Sequence, residues 1–217
     1  MNLVAFDLDG VLINSKGAYV SGFCEAIEKL TGKCSRDEIA YPLGKPVIEV
    51  LRELLPDSHS RIAEGSVIVR DFVSRDDVID AIPVCGSATD ALNAIKSSGE
   101  YFISLVTNSD RVFTEKILKR HQLLDFFNAV LTAEEKPVAK EERIKSLLNL
   151  SNTRAESSFY VGDLPADVYA AKKVDLRTVI SYNEFSWVYP NRDVVLKSNP
   201  DFLISDLREL SRILKLD

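Results

Sequence analysis

Asp7 and Asp9 stand two residues apart in LVAFDLDGV, at the end of a short apolar run. In an extended chain alternate residues share a face, so both carboxylates point the same way. Two like charges that close call for a cation. A hard divalent ion with oxygen ligands, Mg²⁺ above all, would neutralise them and any phosphate brought between them. Gly10 permits a tight backbone exit that leaves the carboxylates exposed. Taken alone, the DxDG pattern fits an N-capping Asp beside a turn Asp about as well as it fits a site.

Three further groups have suitable chemistry. Thr107-Asn108-Ser109 offers a hydroxyl and backbone N–H groups that could hold phosphate oxygens, although Ser109 or Asp110 could equally cap the following helix. Lys136-Pro137 offers an ammonium to screen a nucleophile and a transferring phosphoryl group. Lys140 competes for that role, and Lys136 is preferred because Pro137 fixes its loop. In GDLPAD, Asp163 could ligate a cation directly, and Asp167, one helical turn on, could orient a metal water or the lysine. Two first-turn acids complementing a helix dipole would look similar.

Each group follows an apolar run that reads as a strand buried on both faces: residues 3–8, 101–107 and 157–161, with a weaker run at 128–132. Residues 177–181 and, more weakly, 201–204 read alike. From about residue 83 these runs alternate with helical patterns such as Ala88/Leu92/Ile95 and Ile144/Leu147/Leu148. The expected fold is α/β: a Rossmann-like, doubly wound parallel sheet whose ligand site lies at the carboxyl ends of the strands. The first strand breaks the rhythm, because some seventy residues of helical character follow it. Residues 15–82 are therefore expected to form an inserted helical cap, and residues 1–14 and 83–217 the core. Hinges are expected at residues 14–16 and 82–86. Residues 182–200 are the least interpretable stretch.

The 217 residues carry a net charge of −6 with no basic cluster, which argues against nucleic acid or anionic lipid as partner. No run approaches the roughly 20 apolar residues of a membrane span. Cys24, Cys34 and Cys85 are odd in number and lack metal-ligand spacing, so free thiols in a reducing, cytoplasmic setting are expected. The start of the chain does not read as a signal peptide.

Taken together, FDLDGVLINS, LVTNS, KP and YVGDLPAD resemble the four motifs of the haloacid dehalogenase superfamily, in order and over nearly the whole chain. A helical insertion between the first and second motifs is similar to the phosphoglycolate-phosphatase-like branch, subfamily I with a helical cap. IPVCGSATDALNAIKSSG and DVYAAKKVDLRTVIS add to the likeness. The resemblance implies a Mg²⁺-dependent phosphatase of a small phosphorylated metabolite. Asp7 would be the nucleophile and Asp9 the general acid and then base. Thr107 and Asn108 would hold phosphoryl oxygens and Lys136 would steady their charge. The metal would sit between Asp7, the backbone carbonyl of Asp9, and Asp163, with Asp167 behind them.

Asp9 argues against the halide-removing and phosphonate-cleaving members, which lack that second acid. A sugar phosphomutase is the nearest rival, and a binding or regulatory protein on the same scaffold is the rival of another class. The two histidines, His59 and His121, do not suggest hexose handling. Substrate choice is expected to come from the cap, where Tyr19, Lys45 and Arg52 are candidates to touch the leaving group, in a monomer or weak homodimer.

Overall fold

The computed structural model describes all residues except 41–42, 57–58, 134–137 and 217, and the side chains of Glu38 and Ala40. Its centre is a six-stranded, wholly parallel sheet in the order β3-β2-β1-β4-β5-β6. The strands are β1 (Asn2–Phe6), β2 (Tyr101–Val106), β3 (Ala129–Leu131), β4 (Phe159–Gly162), β5 (Arg177–Ser181) and β6 (Phe202–Ile204). The chain runs outward from β1 on both sides, so the switch point, where an open α/β sheet leaves a crevice, lies beside the end of β1.

Among the described residues six α-helices lie between β1 and β2: α1 (Lys16–Thr31), α2 (Arg36–Ala40), α3 (Val47–Leu54), α4 (Ile62–Val73), α5 (Asp76–Ala81) and α6 (Ala88–Ser98). The others are α7 (Arg111–Arg120), α8 (Lys140–Ser151), α9 (Pro165–Lys172), α10 (Arg192–Lys197) and α11 (Leu210–Leu214). Among the described residues no helix is long and apolar enough to cross a membrane.

The two-residue period of β1 decides which helix meets which face. Val4, Phe6 and Leu8 enter one apolar cluster, which continues into α1, α3, α4 and α6. Leu3 and Ala5 enter another, with Ile144 and Leu147 of α8, Tyr160 of β4 and Ala171 of α9. Asp7 follows in the second series. The two chain crossings between the sheet and α1–α5 run side by side: the Asn14 N–H donates to the Pro83 carbonyl at 2.9 Å, and the Cys85 N–H to the Leu12 carbonyl at 2.8 Å.

The expectation of three free thiols is corrected here. Cys24 and Cys34 form a disulfide, and Cys85 is free and buried. Gly32 closes α1 in the left-handed region, its N–H bonded to the Glu28 carbonyl, and turns the chain so that Cys34 meets Cys24 on the helix. An odd count hides such a pair, because the leftover residue is as visible as the bonded ones. With a separation of 10 residues, restraint of the unfolded chain is worth about 2–3 kcal/mol. Cys24→Ser is therefore expected to lower the thermal midpoint by several degrees. Adding reductant should lower the wild-type midpoint and leave the variant's unchanged; equal midpoints with and without reductant would contradict the bond's contribution.

Candidate active site

The carboxyl ends of β1, β2 and β4 bring Asp7, Asp9, Thr107, Asp163 and Asp167 together. Asp7 is 6% exposed, its N–H bonded to the Val161 carbonyl at 2.8 Å. Its Oδ1 accepts from the Leu8 N–H at 2.8 Å and its Oδ2 from Lys140 Nζ at 2.7 Å. Lys140 Nζ also donates to Asp167 Oδ1 at 2.7 Å. The ammonium is thus shared between the acids that follow two different strands. Lys136 lies outside the described residues, and Lys140 stands beside Asp7. The reason lies in the period of α8: Lys140, Ile144 and Leu147 form one stripe, and the stripe that packs on Leu3 and Ala5 carries Lys140 to the end of β1.

Asp167 spends its remaining oxygen locally, Oδ2 accepting from the N–H groups of Asp163 at 3.1 Å and Leu164 at 3.0 Å. Such a carboxylate positions its neighbours and has little left for a metal. Asp163 differs. Its Oδ2 accepts from the Trp187 N–H at 2.7 Å, and its Oδ1 is buried without a partner among the described residues. Oxygens of Asp7, Asp163 and Asp167 lie within 4.8 Å of one another. Two glycines permit the crowding. Gly10, at φ +77°, would place a Cβ 2.3 Å from Asp163 Oδ2, and Gly162 would place one 2.4 Å from the Asp167 Cβ.

Burial and like charge set the ionisation. Burial, opposed by Lys140 and reinforced by Asp167 and Asp9, raises Asp7 to about 7. Burial first, then Asp167 and Asp7, pushes Asp163 well above the carboxylate range. For Lys140 burial disfavours the charge, yet Asp167 and Asp7 outweigh it and hold the pKa well above an ordinary lysine. A buried, unpaired oxygen among carboxylates whose pKa values are raised by burial first and by their mutual repulsion second fits a hard divalent cation.

Asp9 is held by hydroxyls. Its Oδ1 accepts from Ser15, and its Oδ2 from Ser109 at 2.6 Å and Thr107 at 3.2 Å. Burial raises its pKa against the pull of these donors. Asn108 donates to the Gly44 carbonyl at 2.9 Å, and its Oδ1 accepts from Arg143, whose guanidinium also donates to the Thr107 carbonyl. Ser15, Ser109, Arg143 and Lys140 escaped or lost out in the sequence reading. Ser109 was in view within the phosphate-holding Thr107-Asn108-Ser109 group or as a helix cap, not as a partner of Asp9, and the cap is Asp110, whose side chain accepts from the Phe113 N–H at 3.1 Å.

Over these groups lies a chamber of about 20 Å³, room for one water, lined from the helical side by Tyr19, Phe23, Leu43, Lys45 and Val47. Tyr19 and Lys45 thus reach it, the Tyr19 hydroxyl 2.7 Å from Ser109 Oγ. Arg52 is exposed on α3 and does not line it, because the buried face of α3 is Val47, Val50 and Leu51.

Fold and site together define a doubly wound α/β protein with its acids at the switch point of the sheet. Residues 4–181 match the haloacid dehalogenase-like hydrolase family, and the chain belongs to it. Curated relatives include the pyrophosphatase PpaX of Bacillus thuringiensis (strain Al Hakam) and of Bacillus cereus (strain 03BB102), each 24% identical over 99% of this chain and 96% of its own length. Among solved structures, a predicted phosphatase from Clostridium acetobutylicum superposes with a TM-score of 0.85 at 20% identity, covering 99% of both chains. A predicted phosphoglycolate phosphatase from Haemophilus somnus 129pt gives 0.80 at 17% identity, covering 98% of this chain and 97% of its own. These superpositions establish the shared fold.

Proposed function

We propose that the protein is a magnesium-dependent phosphatase of a small phosphorylated metabolite, acting through a phosphoaspartate on Asp7. The observation that carries this reading is the unpartnered Asp163 Oδ1, buried beside an Asp7 carboxylate that Lys140 holds in place. Asp7 and Asp163, with the backbone carbonyl of Asp9, would hold the ion, which when bound supplies neutralising charge to the carboxylates and the phosphoryl oxygens.

An Asp7 oxygen forms the bond to phosphorus while the bond to the leaving oxygen breaks, and Asp9 gives that oxygen its proton. A raised pKa suits Asp9 to carry the proton in. Asp9 then takes a proton from water, whose oxygen attacks phosphorus and releases the Asp7 carboxylate. Lys140 balances charge on Asp7 through both displacements, and Thr107 and Asn108 flank the phosphoryl position. Splitting one displacement into two lowers each barrier.

The chamber admits one water, so a substrate enters only when the helical layer lifts. Residues 15–82 act as the cap, and the paired crossings at Asn14–Pro83 and Leu12–Cys85 are the place about which it turns.

The test is release of phosphate from p-nitrophenyl phosphate and a panel of phosphorylated metabolites, with Mg²⁺ and with chelator. Turnover that persists in chelator contradicts the reading. Ion binding should also depend on pH. With Asp7 raised to about 7, its carboxyl is protonated below that pH and must release a proton to become a ligand. Mg²⁺ affinity is therefore expected to climb through pH 7, losing at least about tenfold per unit below it. Calorimetry in buffers of different ionisation enthalpy would count the protons released; a flat profile from pH 5.5 to 8.5 would contradict the assignment.

A further inference from the structure

The first turn of α1 and the connection from β5 to β6 meet beside the acids. Ser15, just before the helix, donates to Asp9 Oδ1. Lys16, its first residue, donates from Nζ to the Trp187 carbonyl at 2.7 Å. Tyr19, three residues on, lies against the Trp187 indole with ring centroids 5.7 Å apart. Trp187 in turn holds Asp163. Its N–H donates to Asp163 Oδ2 at 2.7 Å, and the buried Ser186 hydroxyl donates to the Asp163 carbonyl at 3.4 Å. One turn of helix thus reaches Asp9 directly and Asp163 through a single residue.

The connection is braced along its length. At its base the Tyr182 N–H donates to the Ile204 carbonyl at 2.7 Å. Three turns follow, closed by the N–H groups of Ser186, Tyr189 and Asn191 on the carbonyls of Asn183, Ser186 and Val188 at 3.1, 3.0 and 2.7 Å. A carboxylate with one oxygen tied to such a main chain no longer turns freely, and its orientation toward an ion is set by that tie. The oxygen Asp163 keeps is Oδ1, buried without a partner among the described residues, in a cluster with Asp7 and Asp167.

Resting on the phosphatase reading, we propose that Lys16 and Trp187 are positioning residues for the divalent cation. Lys16 holds the β5–β6 connection in place, the Trp187 N–H fixes the Asp163 carboxylate, and Mg²⁺ affinity is set in part from the first turn of the cap. The sign of the effect separates this from simple electrostatics. Lys16 is a positive charge, so by Coulomb's law alone its removal strengthens cation binding. Loss of the tie weakens it.

Calorimetric titration with Mg²⁺ tests the proposal. Lys16→Met is expected to raise the Kd about tenfold and Lys16→Arg, which keeps a donor, less than about threefold. Lys172→Met is the control: it removes a similar lysine-to-carbonyl bond, to Asn199 at the far end of the same connection, and should leave the Kd within about twofold. With p-nitrophenyl phosphate, saturating Mg²⁺ should return the kcat of Lys16→Met to within about threefold of wild type. An unchanged or tighter Kd in Lys16→Met, a loss that Lys172→Met shares, or a kcat that excess Mg²⁺ does not restore overturns the proposal. The wild type carries its own reporter, because Trp187 is the chain's single tryptophan. Its emission should follow the calorimetric saturation curve; emission that ignores bound Mg²⁺ also overturns the proposal. If the wild type binds Mg²⁺ and hydrolyses the ester while Lys16→Met binds as tightly, only this inference fails. If the wild type binds no Mg²⁺, the phosphatase reading falls and takes the inference with it.

Discussion

Asp7→Asn is expected to lower kcat by roughly four orders of magnitude, at an unfolding temperature equal to or above that of the wild type. The activity loss follows from removing the attacking oxygen, for which no neighbour can substitute. Asp167 is committed to Lys140 and two backbone N–H groups, and Asp9 to three hydroxyls. The stability expectation comes from linkage. Burial raises the Asp7 pKa from the ordinary carboxylate value to about 7, so folding favours its protonated form. That advantage is complete at acid pH and is lost as pH rises through 7, where the ionised carboxylate presses on Asp163 and Asp9. A neutral amide escapes this loss and can still accept from Lys140. The variant's margin over the wild type, measured in chelator, should therefore widen from about pH 4 to about pH 7 and stay level above it. A variant that loses activity because it has unfolded would point to a structural role instead.

Lys140→Met is the second large effect, and here activity and stability fall together. The ammonium is nearly enclosed and touches both Asp7 and Asp167. Removing one member of a buried charge cluster costs about 3–5 kcal/mol, because the partners stay behind unpaired. The kcat should fall by about a hundred- to a thousandfold as the nucleophile loses its counter-charge. The stability defect should shrink toward acid pH, where Asp7 is protonated. Lys136→Met is the matched comparison and is expected to stay within a fewfold of wild-type activity with little change in stability. Steady-state kinetics and urea unfolding of the two variants decide between the lysines, and the reverse ranking would return the role to Lys136.

The contrast between these lysines shows what sequence can carry. Strands announce themselves when both faces are buried, and the runs ending at Asp7, Thr107 and Asp163 were legible for that reason, as was the helical stretch between β1 and β2. Lys136, preferred for its adjacent proline, lies outside the described residues, and Lys140 is the lysine seen beside Asp7. The stripe Lys140, Ile144 and Leu147 was equally visible, and its packing on Leu3 and Ala5 carries the ammonium to Asp7. Ser15 gave no signal and Ser109 none as a partner of Asp9, because a serine near a helix start reads as a cap whether or not it faces a carboxylate. Trp187 was beyond reach for another reason. Its segment has no periodicity, and its place is fixed by single hydrogen bonds to Asp163 and Lys16, which are distant in sequence.

The central claim is that phosphate passes through Asp7, and trapping the intermediate tests it most directly. Wild-type protein turning over p-nitrophenyl phosphate with Mg²⁺ would be quenched in acid within milliseconds, reduced with borohydride and digested. The account predicts modification at residue 7, as homoserine formed from the acyl phosphate, and none in Asp9 or in protein quenched without substrate. Turnover with no modified Asp7, or modification at Asp9 or Asp163 instead, would contradict it.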